Sequence, residues 1–237
     1  MKADVIDFSN KLSDRLFINK TVVVIDVFRC TTTITAALMN GAAKVIPTRE
    51  PEDAMALAEK IGKDSCVLGG ERGGLRMPGF DLGNSPLEYT NSVVRDKNVI
   101  ISTTNGSNAI CKAAGAEYLF LGAMTNFSAV AERAAKLKND ILILCSGNKE
   151  STAAEDWCAA GAITNVLKQI EKDIELSDTA MIAEQLYLDI INGTFDISKT
   201  LHYKELRKLG FDDDLEYCMR RNTTDLIPVY KNGIITL

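Results

Sequence analysis

The chain has one histidine, His202, in 237 residues. A Ser-His triad or a phosphohistidine cycle is therefore hard to build. Set within "KTLHYKEL", this histidine reads as a partly exposed residue on a helix. The six cysteines, at 30, 66, 111, 145, 158 and 218, form no C-x-x-C pair, which removes the zinc and dithiol signatures. Most lie in apolar or alanine-rich surroundings and read as reduced, buried thiols. No apolar run approaches the length of a membrane span. The opening "MKADVIDFSN" lacks the apolar core of a secretory signal, so the expectation is a cytoplasmic protein. Basic excess is missing too: 27 Lys and Arg against 32 Asp and Glu give a net charge of −5. That argues against nucleic acid as a partner and leaves a small molecule. Any anionic substrate needs local positive charge, first of all from Arg29, Arg72 and Arg76. There is no G-x-x-x-x-G-K-[ST] and no G-x-G-x-x-G after a strand, so P-loop and dinucleotide sites are not indicated.

What is present is an alternation. Short β-branched runs, "TVVVIDV" (21–27), "AKVIPT" (43–48), "SCVLG" (65–69), "NVIIST" (98–103), "EYLFL" (117–121) and "DILILC" (140–145), predict strands covered on both faces. Helical patterns lie between them. One closes at Gly41, and another has Pro51 in its first turn and Gly62 at its end. This grammar predicts an α/β protein, a three-layer α/β/α fold with a largely parallel or mixed central sheet. Helices are expected at 177–192 and 198–221, then a terminal β-hairpin turning at Asn232-Gly233. No linker divides the chain, so residues 1–237 are read as one domain. "TTTITAALMNGAAKVI" and "TTNGSNAICKAAGAEYLF" share an order of elements, through duplication or through repeated βαβ grammar.

The segment "VLGGERGGLRMPGFDLGNSPLEY" (67–89) carries six glycines and two prolines. Both residue types interrupt regular structure, so 69–86 is expected to be a loop kept for its side chains, Glu71, Arg72, Arg76 and Asp81. Ligands in open α/β sheets bind at the C-terminal ends of strands. There "DVFRCTTT", "STTNGS" and "CSGNKEST" place Asp26, Arg29, threonines and glycines, with Glu155 and Asp156 opening the next helix. Each threonine turn is either an N-cap or part of an anion site. Asp26, closing an apolar strand, needs a metal or an arginine such as Arg29. Oxygen ligands without Cys or His clusters favour magnesium (Mg2+) over zinc. Cys66 and Arg72 have the C-x5-R spacing of cysteine phosphatases, but Cys66 falls inside a strand.

In order and spacing, "VVVIDVFRCTTTITAALMNGA", "LGGERGGLRMPGFDLGNSPLEY", "STTNGSNAI" and "CSGN" followed by "AAEDWCAAG" resemble the 2-phosphosulfolactate phosphatases. The likeness is strong over 20–165 and looser in "LIPVYKNG". It implies a three-layer α/β fold and a magnesium-dependent phosphatase of coenzyme M synthesis. Such an enzyme hydrolyses 2-phospho-3-sulfolactate to sulfolactate and phosphate. It casts Asp26, Glu71 and Asp81 as catalytic, and the same three with Glu155 and Asp156 as the pool of metal ligands. Substrate contacts fall to Arg29, Thr32, Arg72, Gly73, Thr104, Asn105 and Gly106. The family has Ala where Cys30 stands and Pro-Ile where Arg76-Met77 stand, so Arg76 is not expected to be essential. Water and Asp26 itself are the two candidate attacking groups; Phe28, where a second Asp would be expected, favours water. A phosphatase of another phosphorylated hydroxy acid and a non-catalytic anion-binding protein are the rival readings, and a homo-oligomer stays open.

Overall fold

The computed structural model describes residues 1–9, 11–149 and 151–237. The chain opens with β1 (Lys2–Asp7), β2 (Thr21–Ile25), α1 (Cys30–Met39), β3 (Lys44–Thr48) and α2 (Pro51–Ile61). Next come β4 (Cys66–Arg72), β5 (Leu75–Arg76), α3 (Asn91–Val94), β6 (Asn98–Ser102), α4 (Gly106–Lys112) and β7 (Tyr118–Gly122). Then follow α5 (Phe127–Lys136), β8 (Ile141–Cys145), α6 (Ala154–Ile170), β9 (Glu175–Leu176) and α7 (Asp178–Ile191). The chain ends in α8 (Leu201–Lys208), α9 (Asp212–Cys218), β10 (Val229–Lys231) and β11 (Ile234–Thr236).

All the strands join one open sheet in the order β5-β4-β6-β3-β11-β10-β7-β2-β8-β1-β9. Two parallel blocks, β4-β6-β3 and β7-β2-β8-β1-β9, are joined by the antiparallel C-terminal hairpin. The connections β2-α1-β3 and β6-α4-β7 each pass from one block to the other. These are the two segments with the recurring element order.

The pleat assigns the layers, because successive side chains point to opposite faces. Val23 and Ile25 enter one core with α5, α6 and α7, while Val22 and Val24 enter another with α1 and α4. Ile100 points away from that second core into a third, against Ala54 and Ala58 of α2. This is the expected α/β/α layering on a mixed sheet. The capping signals hold as well: Gly41 and Gly62 have φ of 91° and 103°, and Asn232-Gly233 turns the hairpin at φ of 52° and 85°.

Two expectations change, and one strand is added. The block 69–72 is strand, not loop: β4 runs on through Gly69 and Gly70, which pair with Ile101 and Ser102. Those glycines do not interrupt the strand; they make room. A Cβ on Gly69 would stand 1.9 Å from the Tyr89 hydroxyl, and one on Gly70 1.9 Å from the Ser102 carbonyl oxygen. The single helix expected at 198–221 is broken into α8 and α9 at Gly210, whose φ is 84°. And "KADVID" forms β1, beside β8, burying Ala3 and Val5.

Because β11 is the link to the first block, its core residue should carry the join. Ile235 is fully buried opposite Val45. Ile235→Ala is expected to cost about 2–4 kcal/mol by urea denaturation. A loss under about 1 kcal/mol would show that the hairpin does not couple the blocks.

Candidate active site

Four strand ends meet at one cleft. Asp26 follows β2, Gly73 and Gly74 follow β4, Thr104 and Asn105 follow β6, and Asn148 and Lys149 follow β8. His202, Glu205, Leu206 and Leu209 of α8 and its C-terminal turn close it from above. This is where helices of two crossovers begin side by side, the usual ligand crevice of an open α/β sheet.

Asp26 lies at the bottom. The Cys30 N–H donates to its Oδ1 at 3.0 Å. Its Oδ2 faces Gly106, where a Cβ would come within 2.5 Å of that oxygen and of the Cys30 Cβ. Gly106 thus serves the site by having no side chain, behind the cleft rather than on its wall. Burial pushes the Asp26 carboxyl up to about 6; the Cys30 N–H and the charge of His202 oppose this, and Glu71 adds to it. Glu71 is held by three donors: the Thr104 N–H to Oε1 at 2.8 Å, the Gly74 N–H to Oε2 at 2.8 Å and the Thr104 hydroxyl to Oε2 at 3.2 Å. Asn84, also on the wall, has a buried Oδ1 with no hydrogen-bond donor.

Arg29 lines the cleft, but its charge is already paired. Nη1 donates to Asp214 Oδ2 at 2.6 Å and Nη2 to the Gly74 carbonyl at 2.7 Å. The guanidinium lies 3.9 Å from the centre of the Phe211 ring.

Other sequence-derived residues are elsewhere. Arg72 turns away from the cleft, donating to the carbonyls of Glu71 and Arg49 and to the Ser102 hydroxyl. Asp81 accepts from the Leu68 N–H at 2.8 Å in a separate groove that also holds Cys66. Its register beside β4 takes it there. Arg72 and Cys66 therefore form no phosphate cradle, and burial raises the Cys66 thiol further. The Thr32 hydroxyl is buried and donates to the Val27 carbonyl. Thr31, Thr33 and Thr35 likewise donate to main-chain carbonyls. These threonines tie the helix to its surroundings through carbonyls; α1 has no side-chain cap hydrogen bond, so they are neither the N-caps nor the anion site of the two alternatives. Asp156 is spent on structure: its Oδ1 accepts from the Val27 N–H, its Oδ2 from Ser146 and Gly147. Burial, then Asp26 and Glu155, push its carboxyl well up. Glu155 instead meets His202, with Oε1 2.5 Å from Nδ1. His202 is 15% exposed on α8, as expected of a partly exposed helical residue, and it is also part of the cleft. The break at Gly210, invisible as an angle in the sequence, separates α8 from α9.

The five acids do not gather: among the described residues no group of three or more His, Cys, Asp or Glu side chains is placed to hold a metal. Asp26, Glu71 and the undonated Asn84 Oδ1 share one cleft. That oxygen set fits magnesium, which takes one or two carboxylates and completes its shell with water and substrate.

A family model described as 2-phosphosulpholactate phosphatase matches residues 7–233. The chain belongs to the 2-phosphosulfolactate phosphatase family. It is 37% identical over 236 residues to a "Probable 2-phosphosulfolactate phosphatase" of Clostridium beijerinckii, covering 100% of this chain and 99% of that one. Proteins of the same printed name from Caldanaerobacter subterraneus subsp. tengcongensis and Clostridium acetobutylicum are 40% and 39% identical. These alignments cover 95% and 99% of this chain and 94% and 100% of the relatives. The family motifs thus converge on the cleft through Asp26, Glu71, Gly73, Thr104 and Asn105. Asn84 joins them from the glycine-rich block and Lys149 from "CSGNKEST", while His202 comes from a segment with no special pattern of its own.

The raised Asp26 carboxyl has a consequence for stability. A carboxyl whose value rises on folding from 3.8 to about 6 favours the folded state below the unfolded value, and that benefit is lost as pH rises through about 6. Asp26→Asn keeps the acceptor for Cys30 and cannot ionise. In metal-free protein at pH 8 it should be more stable than wild type, on the order of 2–3 kcal/mol. The gap should close below about pH 4. Urea denaturation at the two pH values measures this; a variant equally or less stable at pH 8 would contradict it.

Proposed function

We propose that this protein is a magnesium-dependent phosphatase of a small, multiply anionic phosphate monoester. The first choice of substrate is 2-phospho-3-sulfolactate, giving 3-sulfolactate and phosphate, as the names of its relatives suggest. The observation that carries the reading is the pair of buried carboxylates, Asp26 and Glu71, on one small cleft at the converging strand ends. Acids there would repel an anion unless a cation intervenes, which disfavours a mere anion-binding protein.

When bound, magnesium would be held by Asp26, Glu71 and Asn84 Oδ1, and would neutralise phosphate charge as a Lewis acid. Asp26, at the bottom of the cleft, is also placed to accept a proton from an attacking water. Phe28 packs edge-on to His202 and Tyr203 and offers no second carboxyl for a covalent route, which supports attack by water. Glu71, fixed by its three donors, keeps the Gly73-Gly74 turn and the Thr104-Asn105 turn in one arrangement. With Arg29 paired to Asp214 and Arg72 turned away, Lys149 is, among the described lysines and arginines that line the cleft, the one left for a second anionic group. It is 68% exposed at the cleft and only loosely paired, 3.9 Å from Glu205.

Phosphate release should be absent from chelated protein and restored by magnesium alone; full turnover after thorough chelation would sink the metal assignment. Lys149→Met should lower kcat/KM about 10- to 100-fold for 2-phosphosulfolactate, the worth of one charge-assisted contact, and leave an aryl phosphate nearly unchanged. Arg72→Lys should leave both within about threefold. The reverse pattern, with Arg72 sensitive and Lys149 silent, would return the anion contact to Arg72.

A further inference from the structure

Hydrolysis of a phosphorylated hydroxy acid leaves one atom to be provided for. The ester oxygen departs with the electron pair of the broken P–O bond and, unprotonated, would be a strongly basic alkoxide. We propose that His202 is the general acid of this site, oriented by Glu155 and donating from Nε2 to that ester oxygen. The proposal rests on the phosphatase reading.

The geometry is that of an acid and its holder. Nδ1 is committed to Glu155 Oε1 at 2.5 Å, so Nε2, on the opposite edge of the ring, is left for the cleft that His202 lines. Phe28 packs against the ring edge-on at 6.0 Å between centres and limits its tilt. Glu155 is 1% exposed, and its Oε2 has no hydrogen-bond partner. The imidazole is therefore the side chain that compensates this buried carboxylate. A buried charge needs a paired charge, so the arrangement favours imidazolium with carboxylate.

The charged groups around the ring agree. Glu155 comes from α6, Asp26 from the end of β2, Glu205 from α8 itself and Lys149 from the turn after β8. Three carboxylates face one ammonium. Burial pulls the histidine down, but Glu155, Asp26 and Glu205 outweigh it, and the net direction is up. The upward direction is the one a general acid needs.

In the step, the water oxygen bonds to phosphorus and the P–O ester bond breaks. The bonding pair moves to the ester oxygen, which takes the Nε2 proton and leaves as the hydroxyl of the product. The proton lost by water passes to Asp26. His202 is left neutral on Glu155 and is reprotonated from solvent as Asp26 releases its proton, so the cycle closes.

Leaving-group dependence tests this. The full chain with magnesium is assayed on an alkyl ester, 2-phosphosulfolactate or phospholactate, and on 4-nitrophenyl phosphate, whose phenolate leaves without help. His202→Gln should lose about 10²- to 10⁴-fold in kcat on the alkyl ester and less than about tenfold on the aryl ester. The ratio of the two is independent of how much protein is folded. Glu155→Gln, a second variant, should move the alkaline limb of the alkyl-ester pH profile to lower pH. Equal losses on both esters, or an unshifted limb with alkyl turnover retained, would overturn the assignment while the phosphatase reading stands. A wild-type protein that releases phosphate from neither ester would end both.

Discussion

A fully desolvated ion pair, Arg29 with Asp214, holds the roof of the cleft to its floor. The two side chains are 2% and 4% exposed. Ser85 donates its hydroxyl to the other Asp214 oxygen at 2.5 Å, Gly74 accepts from the guanidinium, and Phe211 stacks on it. One interaction thereby gathers the β2-α1 connection, the turn after β4, the segment before α3 and the C-terminal helices. Such a pair adds little net stability over an apolar substitute, but losing one partner is expensive, about 3–5 kcal/mol. Its worth here is positional. With the Ser85 hydroxyl it ties α9, and through it the C-terminal helices, to the strand ends.

A second constraint operates underneath. The two crossovers start from different blocks of the sheet, yet α1 and α4 begin in contact. Gly106 permits this, since any side chain would collide with Asp26 and Cys30. The C-terminal hairpin fills the gap the crossovers leave in the sheet. The cleft exists because the blocks are joined at this distance.

Rim position proved a coarse guide to role. The sequence places Asp26, Glu71, Asp81, Glu155 and Asp156 near strand ends, and the composition cannot separate them. Structure divides them by direction. Asp81 and Asp156 satisfy main-chain N–H groups, and Glu155 supports a histidine. Asp26 and Glu71 remain on the cleft. The threonines show the same thing: hydroxyls that suit a phosphate equally suit a carbonyl, and in α1 the carbonyls are nearer. Buried main-chain groups must find partners, so many polar residues beside a functional site are there to satisfy the backbone.

Hydrophobic patterning by itself determined the α/β class, six of the strands, the helix stops at Gly41 and Gly62 and the terminal hairpin, because these follow from local rules. The peculiar glycine-rich block also carried the family likeness within the linear chain. Tertiary structure alone decided that this block continues as strand, that Arg29 is spent on Asp214 and that Arg72 turns away. It alone brought His202 from the far end of the chain to Asp26. Those outcomes depend on contacts between residues distant in the chain, 185 positions for Arg29 and Asp214, and on which side of a strand a charge emerges. Neither has a local signature.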